Sequence, residues 1–245
     1  MKLHTLLLAT TLLHSSLASA AVIQAWDNDA SVHGSETWTS NYHALGLTST
    51  NITTGAGITA KTSSGGPGAT SAMKYTELSS SISSFTSANN ANAYLSWTTT
   101  AHAGYQFSVD SLQLATVNLN NGNPTLIMEL RSSADGFAST LDTTKTAIGD
   151  ASLGIQTFSN LAITQQTQVE WRLYTYWDPT DSPGASSYSI HFRNDKTSIT
   201  DFPDATGLVS DPIVLLNGSV TAVPEPTATT LIALAGLPLV LRRKR

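Results

Sequence analysis

Hydrophobic and polar residues alternate along the middle of the chain with the two-residue period of β-strands. The clearest case is QVEWRLYTYW at residues 168–177. One face would carry Val169, Trp171, Leu173 and Thr175, and the other Glu170, Arg172, Tyr174 and Tyr176. Because successive side chains of a strand point to opposite faces, this segment predicts a half-buried strand.

Similar short segments recur between Gly, Asn, Asp and Pro residues, which is typical of many strands joined by turns. The predicted strands are 22–26, 58–62, 93–98, 105–109, 112–119, 125–131, 154–158, 187–192 and 213–220. Helix is expected to be minor, with one turn near residues 75–79. About ten strands do not remain one flat sheet, so the pattern predicts an all-β fold, built as a two-sheet β-sandwich or a jelly roll.

The first 20 residues have the features of a secretory signal peptide. Lys2 supplies a cationic start, residues 6–13 an apolar run, and the sequence ASA at 18–20 a small-residue cleavage site. A buried amphipathic helix is the alternative interpretation, but the order of these features favours a mature chain that begins at Ala21.

The other end of the sequence joins a proline pair, an apolar stretch and four cations. The apolar stretch at 227–241 would form a helix of about 22 Å, against a hydrocarbon core of about 30 Å, so alone it is a marginal anchor. The cluster RRKR at 242–245 is expected to stay on the cytoplasmic side, because cationic flanks resist translocation. A chain exported from its N-terminus would halt there with its bulk outside.

Pro224-Glu225-Pro226, the apolar stretch and the basic cluster, in that order, resemble the PEP-CTERM sorting-domain family. The resemblance implies that Pro224, Glu225 and Pro226 are recognised by an exosortase, a membrane-embedded cysteine transpeptidase of Gram-negative bacteria. It also implies transient anchoring in the inner membrane, cleavage near the motif, and transfer to the cell surface or extracellular matrix. Thr227 departs from the serine more common in the family, and Pro238 is unusual in its helix. An ordinary tail anchor is the alternative interpretation.

Residues 105–223, with LRSSADGF, VEWRLYTYW and LNGSV, are similar to the jelly-roll ectodomains often attached to such tails. This likeness implies a galactose-binding-like jelly roll at 21–222. It would lie between a signal peptide at 1–20 and a sorting signal with a C-terminal transmembrane helix at 223–245. The likeness implies no activity, because a fold does not determine function.

Charge and cysteine content narrow the function classes. The predicted ectodomain carries 7 of the 12 Lys+Arg and 16 of the 17 Asp+Glu, which gives a net charge of −9. Such acidity argues against nucleic acid binding, which needs cations to neutralise phosphates, and is compatible with divalent cations or neutral glycans. The absence of cysteine excludes a catalytic thiol or a thiolate metal site.

Two glutamates in predicted strands, Glu129 and Glu170, are candidates for acid and base on a glycosidic bond, which needs carboxyl groups about 5 to 9 Å apart. Each lies two residues from an arginine, Arg131 or Arg172, on the same strand face. Charge pairing on the sheet is the simpler explanation, and the chain has neither a G-x-S-x-G nor an H-E-x-x-H motif. We therefore predict no catalytic residues.

A candidate metal site follows the first predicted strand. Asp27, Asn28 and Asp29 supply the oxygen ligands that calcium prefers, although the segment lacks the spacing of an EF-hand loop. An Asx turn is the alternative. A structural calcium ion is the single cofactor that the sequence suggests.

The loop after residues 168–177 is the candidate ligand site. Tyr174, Tyr176 and Trp177 lead into it, Asp178 follows, and Trp38 is a second possible platform. Sugar rings stack on aromatic planes while polar side chains bind their hydroxyls. Rings that cover the ends of a sandwich are the alternative explanation.

These features predict an exported, non-enzymatic protein of the cell surface or extracellular matrix, with a structural or adhesive role. A carbohydrate-binding module for exopolysaccharide is the alternative hypothesis, which rests on the aromatic loop. A polysaccharide hydrolase or lyase is the third, which rests only on the two glutamates.

Overall fold

The computed structural model describes residues 21–27, 37–62, 74–117, 125–146, 153–180, 187–192 and 212–223. Most of these residues lie in β-strands, with one α-helix, so the prediction of a mostly β fold is confirmed. Residues 1–20 and 224–245, which carry the predicted signal peptide and the Pro224-Glu225-Pro226 motif, lie outside the described residues.

Fifteen strands, one helix and one 3₁₀ turn follow each other along the described chain. They are β1 (Ala21–Asp27), β2 (Thr37–His43), β3 (Leu47–Ser49), β4 (Ile52–Thr54), β5 (Thr59–Thr62), β6 (Lys74–Ser79), α1 (Phe85–Ala91), β7 (Tyr94–Ala101), β8 (Tyr105–Val117), β9 (Leu126–Ser132), the 3₁₀ turn (Ser133–Asp135), β10 (Asp142–Thr146), β11 (Leu153–Phe158), β12 (Ile163–Gln166), β13 (Gln168–Trp177), β14 (Ser187–Phe192) and β15 (Val214–Ala222).

The strands form one large antiparallel sheet that curls nearly into a barrel. Its order is β10-β9-β13-β7-β4-β2-β1-β15-β8-β14-β6-β5, with β11 and β12 also paired to β8 and β3 paired to β7. Strand β13 lies between β7 and β9, with Leu173 opposite Leu95 on one side and Leu130 on the other. The most clearly alternating segment of the sequence is therefore an interior strand.

Most of the predicted strands are confirmed, and β13 and β14 have the predicted bounds. The two segments predicted at 105–109 and 112–119 are one long strand, β8. The helical turn predicted at 75–79 is wrong, because these residues form β6, which is paired on both sides with β5 and β14. The alternation did not reveal β2, β3, β4, β10 and β12.

The helix α1 begins after a polar N-cap. Ser84 accepts a hydrogen bond from the backbone N–H of Ser87, and the Ser87 hydroxyl accepts one from the backbone of Ser84. This reciprocal pair is a capping box, which satisfies N–H groups that have no partner inside the helix. The helix ends where Asn92 takes a left-handed conformation at φ 55°.

The buried side chains of the curled sheet form one main cluster, to which strands from all along the sheet order contribute. At its centre the Trp97 ring packs edge-on against Trp26 at 5.7 Å between centroids and lies parallel to Trp171 at 6.3 Å. Such aromatic pairs contribute about 0.5–1.5 kcal/mol beyond their area burial. The three rings tie β1, β7 and β13 together.

A chain of hydrogen bonds crosses this apolar interior. The Trp171 Nε1–H donates to Thr99 Oγ1 at 3.1 Å, and the Thr99 hydroxyl donates to Gln24 Oε1 at 2.7 Å. The Gln24 Nε2 then donates to the carbonyl of Thr48 at 2.9 Å. Gln24 and Thr99 are completely buried, so these bonds satisfy polar groups that would otherwise be costly to bury. They also fix the alignment of β1, β7 and β13.

No helix in the described part of the chain has the length and apolarity needed to cross a bilayer. The C-terminal helix expected at 227–241 is not among these residues.

Candidate functional sites

The first candidate, Glu129 on β9, lies at the centre of a closed polar network. Its Oε1 accepts hydrogen bonds from Arg131 Nε at 2.7 Å and Thr140 Oγ1 at 2.6 Å, and its Oε2 accepts one from the Tyr176 hydroxyl at 2.9 Å. Glu129 is only 5% exposed. Every carboxylate oxygen therefore has a partner within the protein, which is the arrangement expected of a structural ion pair.

Arg131 connects this network to the turn that follows β9. Its Nη1 donates to the carbonyls of Phe137 and Ala138 at 2.8 and 2.9 Å, and its guanidinium lies 3.6 Å above the centre of the Phe85 ring. Because Phe85 begins α1, the arginine holds a turn and a helix against the outer face of the sheet. Cation–π contacts of this kind stabilise by about 0.5–2 kcal/mol.

Glu170 on β13 forms a second, more exposed pair of the same design. Its Oε1 accepts a hydrogen bond from Arg172 Nε at 2.9 Å, and the two side chains are 39% and 27% exposed. The Arg172 guanidinium also lies 4.0 Å from the centre of the Phe137 ring. Each glutamate is thus paired with the arginine two residues along, as the charge-pairing explanation expects.

The two glutamates do not share a cleft. Tyr174 is the residue of β13 directly opposite Glu129, and Glu170 lies four residues further along the same strand. At a rise of about 3.4 Å per residue this places them roughly 14 Å apart along the strand direction, which exceeds the separation that glycosidic acid–base pairs use. The arrangement does not favour the hydrolase hypothesis.

The aromatic residues predicted to bind a ligand are mostly inside the protein. Trp38, Tyr174 and Trp177 are 3%, 1% and 2% exposed. Tyr174 points to the outer face, as predicted, but α1 covers it: the Phe85 ring packs edge-on at 5.0 Å and the Tyr174 hydroxyl donates to Asn89 Oδ1 at 3.1 Å. A ring with so little exposed surface offers no face to a sugar, so these three do not form the expected platform.

Tyr176 is half-buried and Asp178 is 9% exposed, and both are engaged by neighbours. Burial, and then the hydrogen bond to Glu129, raise the pKa of the half-buried Tyr176. Asp178 accepts hydrogen bonds from Lys145 Nζ at 2.9 Å and Thr180 Oγ1 at 2.7 Å. Chiefly because of these bonds, the pKa of Asp178 is lowered to about 2. Residues 181–186 of the candidate loop lie outside the described residues.

The predicted calcium site falls largely outside the described residues. Asp27 is the last residue of β1, and Asn28 and Asp29 follow it beyond the described range. Within the described ranges, no three His, Cys, Asp or Glu side chains lie close enough together to hold a metal ion.

A hydroxyl-rich groove of about 310 Å³ lies on the outer face of the sheet beside Glu170. Its lining includes Thr50, Asn51, Thr53, Ser96, Thr98 and Glu170. Sequence reasoning missed this groove, because its walls come from β4, β7, β13 and the segment between β3 and β4. Polar residues spaced so far apart in the sequence give no local signal.

A second feature that the sequence did not reveal is an uncharged surface at one end of the curled sheet. It comprises the turns 44–46 and 101–104 together with Val223, and we call it the exit surface, because the chain continues from it into residues 224–245. The Val223 N–H donates to the carbonyl of Gly104, and the His102 N–H donates to that of Gly46, both at 2.8 Å. Leu45, at the tip of its turn, is 85% exposed. The exit surface contains no Asp, Glu, Lys or Arg.

The exit surface contains one histidine, His102, and His43 directly precedes its first turn. Partial burial, and then the electrostatic interaction with His102, lower the pKa of His43 below its usual value. The His43 imidazole is therefore mostly neutral at pH 7. An apolar groove of about 360 Å³ runs from this surface along the outer face, between Tyr42, Leu45, Val22 and Val220.

No protein-family model matches this chain, and no functionally curated protein is significantly similar to it.

Proposed function

We propose that this chain is an exported protein of the cell surface or extracellular matrix, sorted by an exosortase, with a structural or adhesive role. The observation that carries the proposal is a sequence pattern: an N-terminus with the features of a signal peptide, paired with Pro224-Glu225-Pro226, an apolar stretch and a basic cluster. An acidic, cysteine-free, mostly β domain is consistent with such a role. Glu129 and Glu170 are each paired with an arginine, which supports a structural role for these two carboxylates.

We also propose that residues 21–222 form a two-sheet jelly roll of the galactose-binding type. Strand β2 supports this proposal, because its residues 39–43 pair with β1 while Thr37 and Trp38 pair with β4. Strands that pass from one sheet to another make the corners of many sandwiches. In this architecture β10, β9, β13, β7, β4 and β3 would form one layer, and β1, β15, β8, β14, β6 and β5 the other.

The sorting proposal is tested in a Gram-negative host that carries an exosortase and in the matching exosortase-deletion strain. Antiserum against the chain follows its length and location by cell fractionation and immunoblotting. We expect a shortened product at the surface or in the medium of the first strain. The deletion strain should retain the full-length chain in its inner membrane.

A tail variant separates motif recognition from general export. The triple substitution Pro224→Ala, Glu225→Gln and Pro226→Ala should leave the chain full-length and membrane-bound in the exosortase strain. The control Thr229→Ala/Thr230→Ala changes nearby residues and keeps the motif, so it should be processed normally. Normal processing of the triple variant would overturn the proposal.

Exopolysaccharide binding is the second candidate function, and the hydroxyl-rich groove beside Glu170 is the observation that favours it. Hydroxyl and carboxylate side chains are suited to the hydroxyl groups of a sugar. Saturable binding to the host's exopolysaccharide, lost in Thr98→Lys and kept in Ser81→Lys, would support this function. Loss of that binding on adding a chelator would indicate that a calcium site contributes.

A further inference from the structure

We infer that the exit surface lies against the lipid bilayer while the chain is anchored, with Leu45 inserted among the lipid headgroups. This inference rests on the proposed anchoring of residues 227–241. It assigns an orientation and a lipid contact to the folded domain, in addition to the anchor itself.

The length of the connection provides the first argument. The last described residue, Val223, is held by a hydrogen bond to Gly104 within the exit surface. Three residues, 224–226, separate it from the apolar stretch. A fully extended chain advances at most about 3.6 Å per residue, so Val223 stays within roughly 14 Å of the start of the anchor. Among the described residues, those around Val223 are therefore held close to the bilayer.

The side chains at this surface provide the second argument. Leu45, at 85% exposure, and Val223, at 44%, are the large hydrophobic residues most exposed to solvent in the described chain. Leu45 and Val223 both lie beside the turn 101–104. Gly46, which follows Leu45, and Val223 each form a backbone hydrogen bond with this turn. The apolar groove beside Leu45 extends the same surface towards Val22. Exposed apolar residues gathered in one place mark a contact surface.

Charge provides the third argument. The predicted ectodomain has 16 acidic residues against 7 basic ones, yet the exit surface has no carboxylate. Glu170 on β13 lies opposite Thr98, three residues along β7 from Ala101, and Glu225 lies in the connection that follows Val223, outside the exit surface. A membrane surface with anionic lipids repels acidic groups over about a Debye length. A surface without carboxylates meets less of this repulsion than acidic surface does, which favours the exit surface towards the lipid.

The test uses environment-sensitive fluorophores on single cysteines, which the cysteine-free chain permits without other changes. Residues 21–245 are reconstituted into vesicles of phosphatidylethanolamine and phosphatidylglycerol that contain a lipid-borne quencher. Ala103→Cys reports on the exit surface, Ser81→Cys on an exposed turn at the opposite end, and Ala233→Cys on the proposed anchor. We expect blue-shifted, quenched emission from the labels at 103 and 233, and aqueous, unquenched emission from the label at 81.

A second substitution tests the role of the leucine. Leu45→Glu in the Ala103→Cys chain should shift the emission of the label at 103 back towards that in water, and Ser81→Glu in the same background should not. The turn around Leu45 is exposed, so circular dichroism is expected to show an unchanged fold in both variants.

The outcomes separate the inference from the proposed function. If the label at 233 is quenched while the labels at 103 and 81 both remain aqueous, the anchor inserts and the lipid contact is refuted. If the label at 233 remains aqueous, the anchoring is refuted, and the inferred contact with it. If the emission of the label at 103 shifts to the blue only when a membrane protein is added to the vesicles, the lipid contact is also overturned, in favour of a protein partner.

Discussion

Glu129→Gln gives the most direct measure of what the network around this carboxylate contributes. The substitution keeps the side-chain volume but leaves Arg131, whose side chain is 11% exposed, without its counter-charge. Removing one partner of a buried ion pair costs about 3–5 kcal/mol. The amide oxygen can still accept the hydrogen bond from Tyr176, so we expect the lower end, about 3 kcal/mol.

Glu170→Gln is the matched control, because it makes the same chemical change beside an arginine at the same spacing. The Glu170 and Arg172 side chains are 39% and 27% exposed. Solvent screens such pairs, which contribute at most about 1 kcal/mol. For a domain of this size 1 kcal/mol corresponds to roughly 2–4 °C in Tm, so the expected losses are about 6–12 °C for Glu129→Gln and under about 4 °C for the control.

Tryptophan fluorescence is a suitable assay, because all five tryptophans are buried and their emission reports on the core. Thermal and urea unfolding would be measured for the purified wild-type chain and both variants. Equal losses in the two variants would refute the reasoning that burial decides the strength of these pairs. A Glu129→Gln chain with wild-type stability that had lost a polysaccharide-cleaving activity would instead assign Glu129 to catalysis.

Three further predictions concern the interior and the pH dependence. Thr99→Val keeps the shape but leaves two buried partners unsatisfied, so urea unfolding should show a loss of about 1–3 kcal/mol. Thr98→Val on the outer face should change the free energy of unfolding little. Equal losses in the two variants would contradict the importance of the buried chain of hydrogen bonds. Since the pKa of Asp178 is lowered to about 2, its contribution to stability is present above about pH 4 and is lost as the pH falls towards 2. Asp178→Asn should flatten the dependence of stability on pH between about pH 4 and 2. An unchanged dependence would contradict the contribution assigned to Asp178. His43 has a lowered pKa, so the unfolded chain binds its proton more readily, and stability should fall as the pH drops below about 6.5. His43→Gln should reduce the fall in stability with decreasing pH in this range. A fall as steep as that of the wild-type chain would show that other groups cause it.

The sequence predicted the strands where local alternation and burial agree. In β13 the inward positions Val169, Trp171 and Leu173 are buried as the pattern predicts. Tyr174 could not be predicted to be buried, because α1 covers it from another part of the chain. The sequence of α1, FTSANNA, is seven residues long, and Phe85 is its only large apolar residue, so no strong local pattern predicts the helix that covers Tyr174.

The candidate sites depended still more on distant contacts. The Glu129–Arg131 pair was predictable from its spacing, but Thr140 and Tyr176, which complete the network, were not. The exit surface is assembled from turns whose residues are distant in sequence, and Leu45 became notable only when its exposure was known. A site built from non-adjacent turns has no sequence spacing by which it can be recognised.

The pairing of β1 with β15 has a consequence for biogenesis. Ala21 lies opposite Gly218, and Trp26 opposite Val214, so one edge of the first described strand has no native partner until the last described strand is available. A chain delivered N-terminus first would carry that unpaired edge during almost the whole of its synthesis or translocation. Closure between such distant strands is intrinsically slow, and an open edge is a template for pairing with other chains. Protection by a chaperone would therefore be most effective before residue 214 emerges, and a truncation that removes β15 should favour aggregation over a smaller folded domain.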